Sequence, residues 1–252
     1  MELHRFFVIA GAQRCGTTYL SKMLDQHPQI CFAKPLFPEP KFFLNETSFK
    51  LGKQNYLERF YDLTKRTIVL GEKSTSYIES ETAAIRIKAM FPDAQILFSL
   101  RNPVERAISN YHFSVSNNLE KRNIEVALNP KSQDALEFST SVSPFNYLDR
   151  GNYFKYLGPY FKIFGQEKIK IVLFEELTDP VNSMAEIFEF MKIDSTFQPI
   201  DRSIRVNAGN VYTTELDVLQ SLIKFYCSKI EKLEELINKD LTVWREDWKS
   251  RM

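Results

Sequence analysis

The sequence predicts an α/β protein with a P-loop-type central parallel β-sheet and helices on both faces. Three observations carry this reading. Strand-like runs at 6–10, 67–71, 95–100 and 169–174 alternate with helix-like runs at 17–26, 80–91, 103–116, 153–164 and 180–191. A glycine-rich turn, Gly11-Ala-Gln-Arg-Cys-Gly-Thr-Thr18, joins the first strand to the first helix. A second segment, Leu100-Arg-Asn-Pro-Val-Glu-Arg-Ala-Ile-Ser-Asn-Tyr111, joins a later strand to a later helix. The alternation implies a parallel sheet, since parallel neighbours need a crossover connection that is usually a helix. Ligands of such sheets bind beyond the carboxyl ends of the strands, where both segments fall.

The elements follow in chain order. Phe6, Phe7, Val8, Ile9 and Ala10 form an unbroken apolar run, as in a strand covered on both faces. Leu20, Met23 and Leu24 then recur at helical spacing. Between them, backbone N–H groups and a helix N-terminus make a phosphate-binding setting. The spacing is GxxxxG, but Gly16-Thr17-Thr18 replaces the usual GK[ST] ending. The lysine that reaches a γ-phosphate is missing, so the loop suits a 5′-phosphate group that is not a triphosphate. Hydroxyls at the helix start can cap it or bind an anion.

Pro35 to Pro40 holds three prolines and reads as irregular, just ahead of Phe42-Phe43. Ile96, Leu97 and Phe98 mark the strand that ends at Arg101. Pro103 fits the first position of the next helix, where its missing N–H costs nothing. Ser109 then lies roughly 9 Å along the axis at ~1.5 Å per residue. Arg101 and Ser109 together form a second candidate anion site. The stretch 117–146 is polar and irregular, either a lid or acceptor loop or a surface excursion, with a short helix expected around Ile124, Val126 and Ala127. In the last helix Leu216, Leu219, Ile223, Tyr226, Ile230, Leu233 and Ile237 form one apolar stripe, suited to packing on the domain more than to a dimer seam.

Bulk properties set bounds. A chain of 252 residues reads as one domain, 1–252. The 33 basic and 32 acidic residues nearly cancel, giving a net charge of +1, which argues against nucleic acid or a heavily sulfated polymer as partner. The cysteines Cys15, Cys31 and Cys227 make no disulfide framework, and no metal-ligand spacing appears. Cys15 lies in the phosphate loop, but none of His4, His27 and His112 offers it an evident partner. No signal-peptide pattern or apolar run of ~20 residues is present, so the chain reads as cytoplasmic, without membrane contact, as monomer or homodimer.

With both motifs in view, the chain resembles sulfotransferases that use 3′-phosphoadenosine-5′-phosphosulfate (PAPS). The first loop is similar to their 5′-phosphosulfate loop, QKxGTT. The second is similar to their 3′-phosphate motif, RxPxxRxxSxY. Glu39-Pro-Lys-Phe-Phe43 resembles the ExxFF element of the heparan sulfate N- and 3-O-sulfotransferase branch, and Gly71-Glu-Lys-Ser-Thr-Ser-Tyr77 resembles its EKSxxY element. The likeness continues through Arg150-Gly-Asn-Tyr153, Ile169 to Glu175 and Asp240-Leu-Thr-Val-Trp244.

The resemblance implies a sulfotransferase fold and a soluble, bacterial-type enzyme with PAPS as co-substrate, PAP as product and no metal. It implies a nucleotide site of Gln13, Arg14, Cys15, Gly16, Thr17, Thr18, Arg101, Ser109 and Arg205. It implies catalysis by Glu39 as general base, with Arg14 and Lys73 as cations at the transferring group. A Glu39 beside Phe42 and Phe43 is expected to be partly desolvated, and His112 is the rival base. Arg14 stands where the family carries lysine. Arginine keeps the charge and can bond bidentately but cannot donate a proton at neutral pH. The acceptor reads as a hydroxyl or amine-type nitrogen of a small polar natural product or sugar, with a heparan-type glycan as the alternative. Phe37, Phe42, Phe43, Phe113, Phe145, Tyr147 and Tyr153 are the rings expected near the cleft. A P-loop nucleotide kinase is the runner-up and a catalytically silent nucleotide-binding scaffold the third reading.

Overall fold

Five parallel strands in the order β2-β3-β1-β4-β5 form the sheet of this protein. The computed structural model describes residues 4–131, 136–139, 142–178, 180–200 and 215–251. Along the chain the elements are β1 (Arg5–Gly11), α1 (Thr17–Leu24), β2 (Ile30–Phe32), α2 (Glu46–Lys50), α3 (Gly52–Phe60), β3 (Val69–Lys73), α4 (Glu81–Met90) and β4 (Gln95–Leu100). There follow α5 (Pro103–Ser116), α6 (Ile124–Ala127), α7 (Tyr153–Phe164), β5 (Ile169–Leu173), α8 (Pro180–Phe190), α9 (Leu216–Ile237) and α10 (Thr242–Arg251). Two compact units divide the chain, Met1–Leu100 with Pro159–Ala208, and Arg101–Gly158 with Gly209–Met252.

The first unit holds the sheet. Alternation along β1 sends Phe7 and Ile9 to one face and Phe6 to the other. Phe7 and Ile9 join a buried cluster with Leu20 and Met23 of α1 and Ile187 and Phe188 of α8. Phe6 stacks on Phe91 at 4.0 Å between ring centroids and meets Phe43 and Tyr56 edge-on. Both faces are therefore covered, as the continuous apolar run requires. β3 begins two residues later than the apolar pattern indicates and extends through Glu72 and Lys73, held in register with Val8 and Ile9 of β1. Gly71 of β3 lies against Phe7, where a Cβ would come within 2.7 Å of the ring.

The second unit is helical among its described residues. α5 packs on α9, whose buried stripe is Val218, Leu219, Leu222, Tyr226, Ile230, Leu233 and Ile237. The stripe serves the core of its own unit, as its spacing indicates, with Leu222 fully buried and Ile223 only half-buried. The short helix expected near Ile124 is α6, capped by Asn123. Asn102 caps α5 through its Oδ1, which also accepts from Trp248 Nε1 of α10 at 3.0 Å. No helix among the described residues is long and apolar enough to cross a membrane.

Candidate active site

The glycine loop leaves β1 at its carboxyl end and is laced to the next strand. The Ala12 amide donates to the Ser99 carbonyl at 2.9 Å, and the Ser99 hydroxyl donates back to the Cys15 carbonyl. Arg14 has φ 67° and Gly16 has φ 78°, the left-handed region that side chains disfavour. At Gly16 space is short as well, because a Cβ would lie 2.9 Å from Leu177 and 3.1 Å from Phe174. Helix α1 begins at Thr17 with no side-chain cap on its first turn. It shares this with α3 and α9, whereas α2, α4, α5 and α6 are capped by Asn45, Ser80, Asn102 and Asn123. An N-terminus left uncapped by side chains keeps its amides and positive dipole end for an anion. Gln13 and Arg14 are half-buried, Thr17 is buried and Thr18 is exposed. Cys15 is fully buried, its Sγ 3.5 Å from the Gln13 carbonyl oxygen.

The neighbouring strand places a cation beside this loop, and the proline-rich segment after β2 brings a carboxylate to it. Lys73 ends β3 opposite Ile9, two residues before β1 ends. Its Nζ lies 3.1 Å from Glu39 Oε1, with side-chain exposures of 2% and 13%. The Thr75 amide donates to Glu39 Oε2 at 3.0 Å, and the Thr75 hydroxyl donates to the same carboxylate. Gln13 Nε2 donates to Ser76 Oγ at 3.0 Å, tying the glycine loop to the segment that follows β3. Gln13, Glu39, Lys73 and Thr75 are thus assembled within the first unit. The ring of Phe37, about half exposed, covers Lys73 Nζ at 4.1 Å.

Phe42 and Phe43 do not line an open pocket. They are 1% and 0% exposed and belong to the aromatic cluster with Phe6, Tyr56 and Phe60. Tyr147 and Tyr153 are likewise buried, leaving Phe37 and Phe113 as the exposed rings of those expected near the cleft, with Phe145 half-buried. The reason is physical: a pair of adjacent rings after a proline-rich turn buries more apolar surface as core than as a pocket wall.

Beneath the Glu39 segment lies Glu72, the first residue of the EKSxxY element, to which the sequence reading assigns no role. Glu72 is fully buried, and its carboxylate accepts from the hydroxyls of Tyr56, Tyr77 and Ser74, the last two at 2.5 Å and 2.7 Å. Burial raises its pKa, opposed by those three hydrogen bonds. Burial and the adjacent carboxylate lift Tyr56 and Tyr77 well above the ordinary phenol range, so both stay protonated and donate.

The second motif lies in the other unit. Arg101 follows β4 directly, with its side chain 22% exposed and 3.6 Å from Glu105 across one helical turn. Its carbonyl accepts from Tyr153 Oη at 2.8 Å. Ser109 is buried on α5. His112, three residues on, is half-buried, with its pKa lowered by that burial. Arg205 lies outside the described residues. Two further arginines sit deeper in the unit. Arg106 and Arg150, 0% and 1% exposed, both donate to Asn110 Oδ1 and reach the carbonyls of Tyr147 and Ser143 respectively.

Comparison with known proteins bears on the family and the fold. The chain is 26% identical over 219 residues to a bifunctional heparan sulfate N-deacetylase/N-sulfotransferase 1 of Caenorhabditis briggsae, covering 83% of this chain and 25% of the relative. It is 30% identical over 188 residues to mouse heparan sulfate glucosamine 3-O-sulfotransferase 3B1, covering 73% of this chain and 45% of the relative. The chain therefore spans less than half the length of either. A crystal structure of a sulfotransferase from Alicyclobacillus acidocaldarius superposes with a TM-score of 0.76 at 27% identity, over 97% of this chain and 100% of that one. The sequence pattern of the family described as Sulfotransferase domain matches residues 5–239, from the first residue of β1 to just beyond α9, and the chain belongs to that family.

Proposed function

We propose that the protein transfers the sulfuryl group of PAPS to a hydroxyl or amine-type nitrogen of a small polar molecule or sugar, releasing PAP and a sulfated product. The observation that carries this reading is the assembly of an uncapped glycine loop and the Glu39–Lys73–Thr75 cluster at the carboxyl ends of two adjacent strands. One feature is an anion site, and the other holds a carboxylate and a cation within contact.

In this reading Glu39 takes the proton of the acceptor O–H or N–H as the new bond to sulfur forms. The sulfur–oxygen bond to the 5′-phosphate breaks, and its electron pair stays on the phosphate oxygen. Charge growing there is met by the α1 amides, Arg14 and Lys73, since donors aimed at a developing charge are a large source of rate. Thr75 fixes the Glu39 carboxylate, and Lys73 contacts the same carboxylate. Arg101 and Ser109 are assigned to the 3′-phosphate, and Arg205, outside the described residues, to the nucleotide. His112 is kept as rival base; its lowered pKa suits a neutral imidazole. Residues 117–146 are proposed as the lid or acceptor loop.

Single-turnover rate beside PAP affinity tests the assignment. Glu39→Gln keeps PAP binding and slows turnover by ~10²–10⁴-fold, the typical cost of losing a positioned base. Near-normal turnover would remove Glu39 and pass the role to His112. Arg14→Ala weakens PAP binding and chemistry together, while Arg14→Lys keeps much of both. Binding and turnover are expected to survive a metal chelator. A glycan acceptor is a second reading, favoured by the named heparan sulfate relatives. An acceptor panel containing small alcohols, amines, neutral sugars and heparan-type oligosaccharides separates the two.

A further inference from the structure

Glu72 is buried, titratable and outside the chemistry proposed above. Its hydrogen bonds nevertheless run toward Glu39. The Ser74 hydroxyl, which donates to Glu72, accepts from the Lys41 amide at 2.9 Å. The Tyr77 hydroxyl, which also donates to Glu72, accepts from the Phe43 amide at 3.2 Å. Lys41 and Phe43 belong to the segment that begins with Glu39. Lys41 is itself held at φ 49°, a backbone setting that the surroundings must enforce.

A hydroxyl has one proton. Where a carboxylate takes it, only lone pairs are left, and these match an incoming amide N–H. Glu72 is a pure acceptor when ionised, so it orients both hydroxyls with their lone pairs toward residues 41 and 43. We infer that Glu72 is a positioning residue for the Glu39 base: it sets the polarity of the Ser74 and Tyr77 hydroxyls, which clamp the 39–43 segment over Lys73 and Thr75. The inference rests on the assignment of Glu39 as base.

Glu72→Gln tests it with almost no change of volume. The amide nitrogen of glutamine donates where one carboxylate oxygen accepted. Because Ser74 and Tyr77 share Oε1 and Tyr56 alone takes Oε2, the double variant Ser74→Ala/Tyr77→Phe is made beside it, so that both links are cut whichever way the amide sits. The expected result is a fall in kcat of ~10–100-fold, the usual scale for a group that supports a functional side chain from behind, with PAP affinity and acceptor KM within about twofold of wild type. The decisive comparison is the double variant Glu39→Gln/Glu72→Gln. If Glu72 acts through Glu39, the double variant is no slower than Glu39→Gln alone. Effects that multiply would overturn the inference, as would a PAP affinity that falls in step with kcat. Ser74→Ala, which cuts one of the two links, serves where Glu72→Gln folds poorly. Its smaller loss of kcat must also vanish in the Glu39→Gln background. Near-normal turnover of Glu39→Gln by itself would instead sink the base assignment, an outcome read from a different variant.

Discussion

The most deeply buried charges of the two units, among the described residues, differ in sign and in how they are served. In the first, one carboxylate, Glu72, is served by three hydroxyls. In the second, two guanidiniums, Arg106 and Arg150, share one amide oxygen and reach two carbonyls. A hydroxyl that donates still accepts, so the first network passes its polarity on to further groups. A guanidinium only donates and a carbonyl only accepts, so those contacts end where they begin. The first network continues through Ser74 and Tyr77 to the backbone of residues 41 and 43, and the second is a clamp that fixes the 143–150 turn to α5.

That difference should separate loss of activity from loss of fold. The largest expected effect lies in the first unit, at the Glu39–Lys73 ion pair. Lys73→Ala should cut turnover by ~10²–10³-fold, the scale of removing one donor to a developing negative charge, in the fraction that stays folded once Glu39 has lost its cation. A large drop in stability with intact specific activity would mean that Lys73 is structural.

Breaking the clamp should do the reverse. Arg106→Ala empties a fully buried site and strips partners from Asn110 and Tyr147, which should cost about 3 kcal/mol of stability in denaturant unfolding. Arg106→Met keeps most of the volume without the burial cost of a charge, and should cost clearly less. Equal losses for the two variants would show that charge, and not volume, is what the site requires.

Arg101 sharpens the contrast, because it shares the second unit with the clamp yet stays partly exposed. Arg101→Ala should weaken PAP by roughly ten- to a hundredfold, from a charge-assisted bond of roughly 1.5–3 kcal/mol. A nucleotide lacking the 3′-phosphate should bind the variant and the wild type alike. Calorimetric titration of both ligands checks this, and equal weakening would move the 3′-phosphate elsewhere.

The smallest effect is one of pH. Burial alone would raise the Glu120 pKa, but hydrogen bonds from the Arg122 side chain and backbone and from Tyr147 hold it at about 2, below its ordinary 4.5. A depressed carboxyl stabilises the fold fully above about 4.5, and that contribution is lost as pH falls toward about 2. Glu120→Gln should lower stability near neutrality, where the ionised carboxylate contributes in full, and flatten the stability–pH curve across this window, as urea midpoints at several pH values would show.

Much of this was legible in the sequence, and the gaps have causes. Four of the five strands and the long helices follow from apolar runs and helical spacing. The missed strand, β2, is three residues long, too short for a period to register. β3 was placed two residues early because Gly71, Glu72 and Lys73 carry no strand signal. They are strand because β1 pairs with them and because Glu72 finds its hydroxyls across the chain. Tyr56, one of those donors, sits on α3, which the pattern also passed over. The glycine loop, Glu39 and Lys73 were found by motif. The EKSxxY element also contains Glu72, Ser74 and Tyr77, but a motif does not show that they bond one another, nor that Thr75 and Tyr56 bond carboxylates distant in sequence. Phe42 and Phe43 were read as pocket walls because composition cannot tell a core ring from a lining one.

The placement of Cys15 has a consequence for measuring motion. Its thiol is wholly shielded, while Cys31 is half-buried and Cys227 is exposed. A thiol reagent should therefore modify Cys227 first and Cys15 last. Cys15 becomes reachable only when the Ala12–Ser99 and Ser99–Cys15 bonds part, so its labelling rate measures how often the glycine loop opens. In a Cys31→Ser/Cys227→Ser background that rate is a clock for loop opening. A nucleotide that braces the loop should slow it in proportion to occupancy, giving a readout of binding that depends neither on turnover nor on knowing the acceptor.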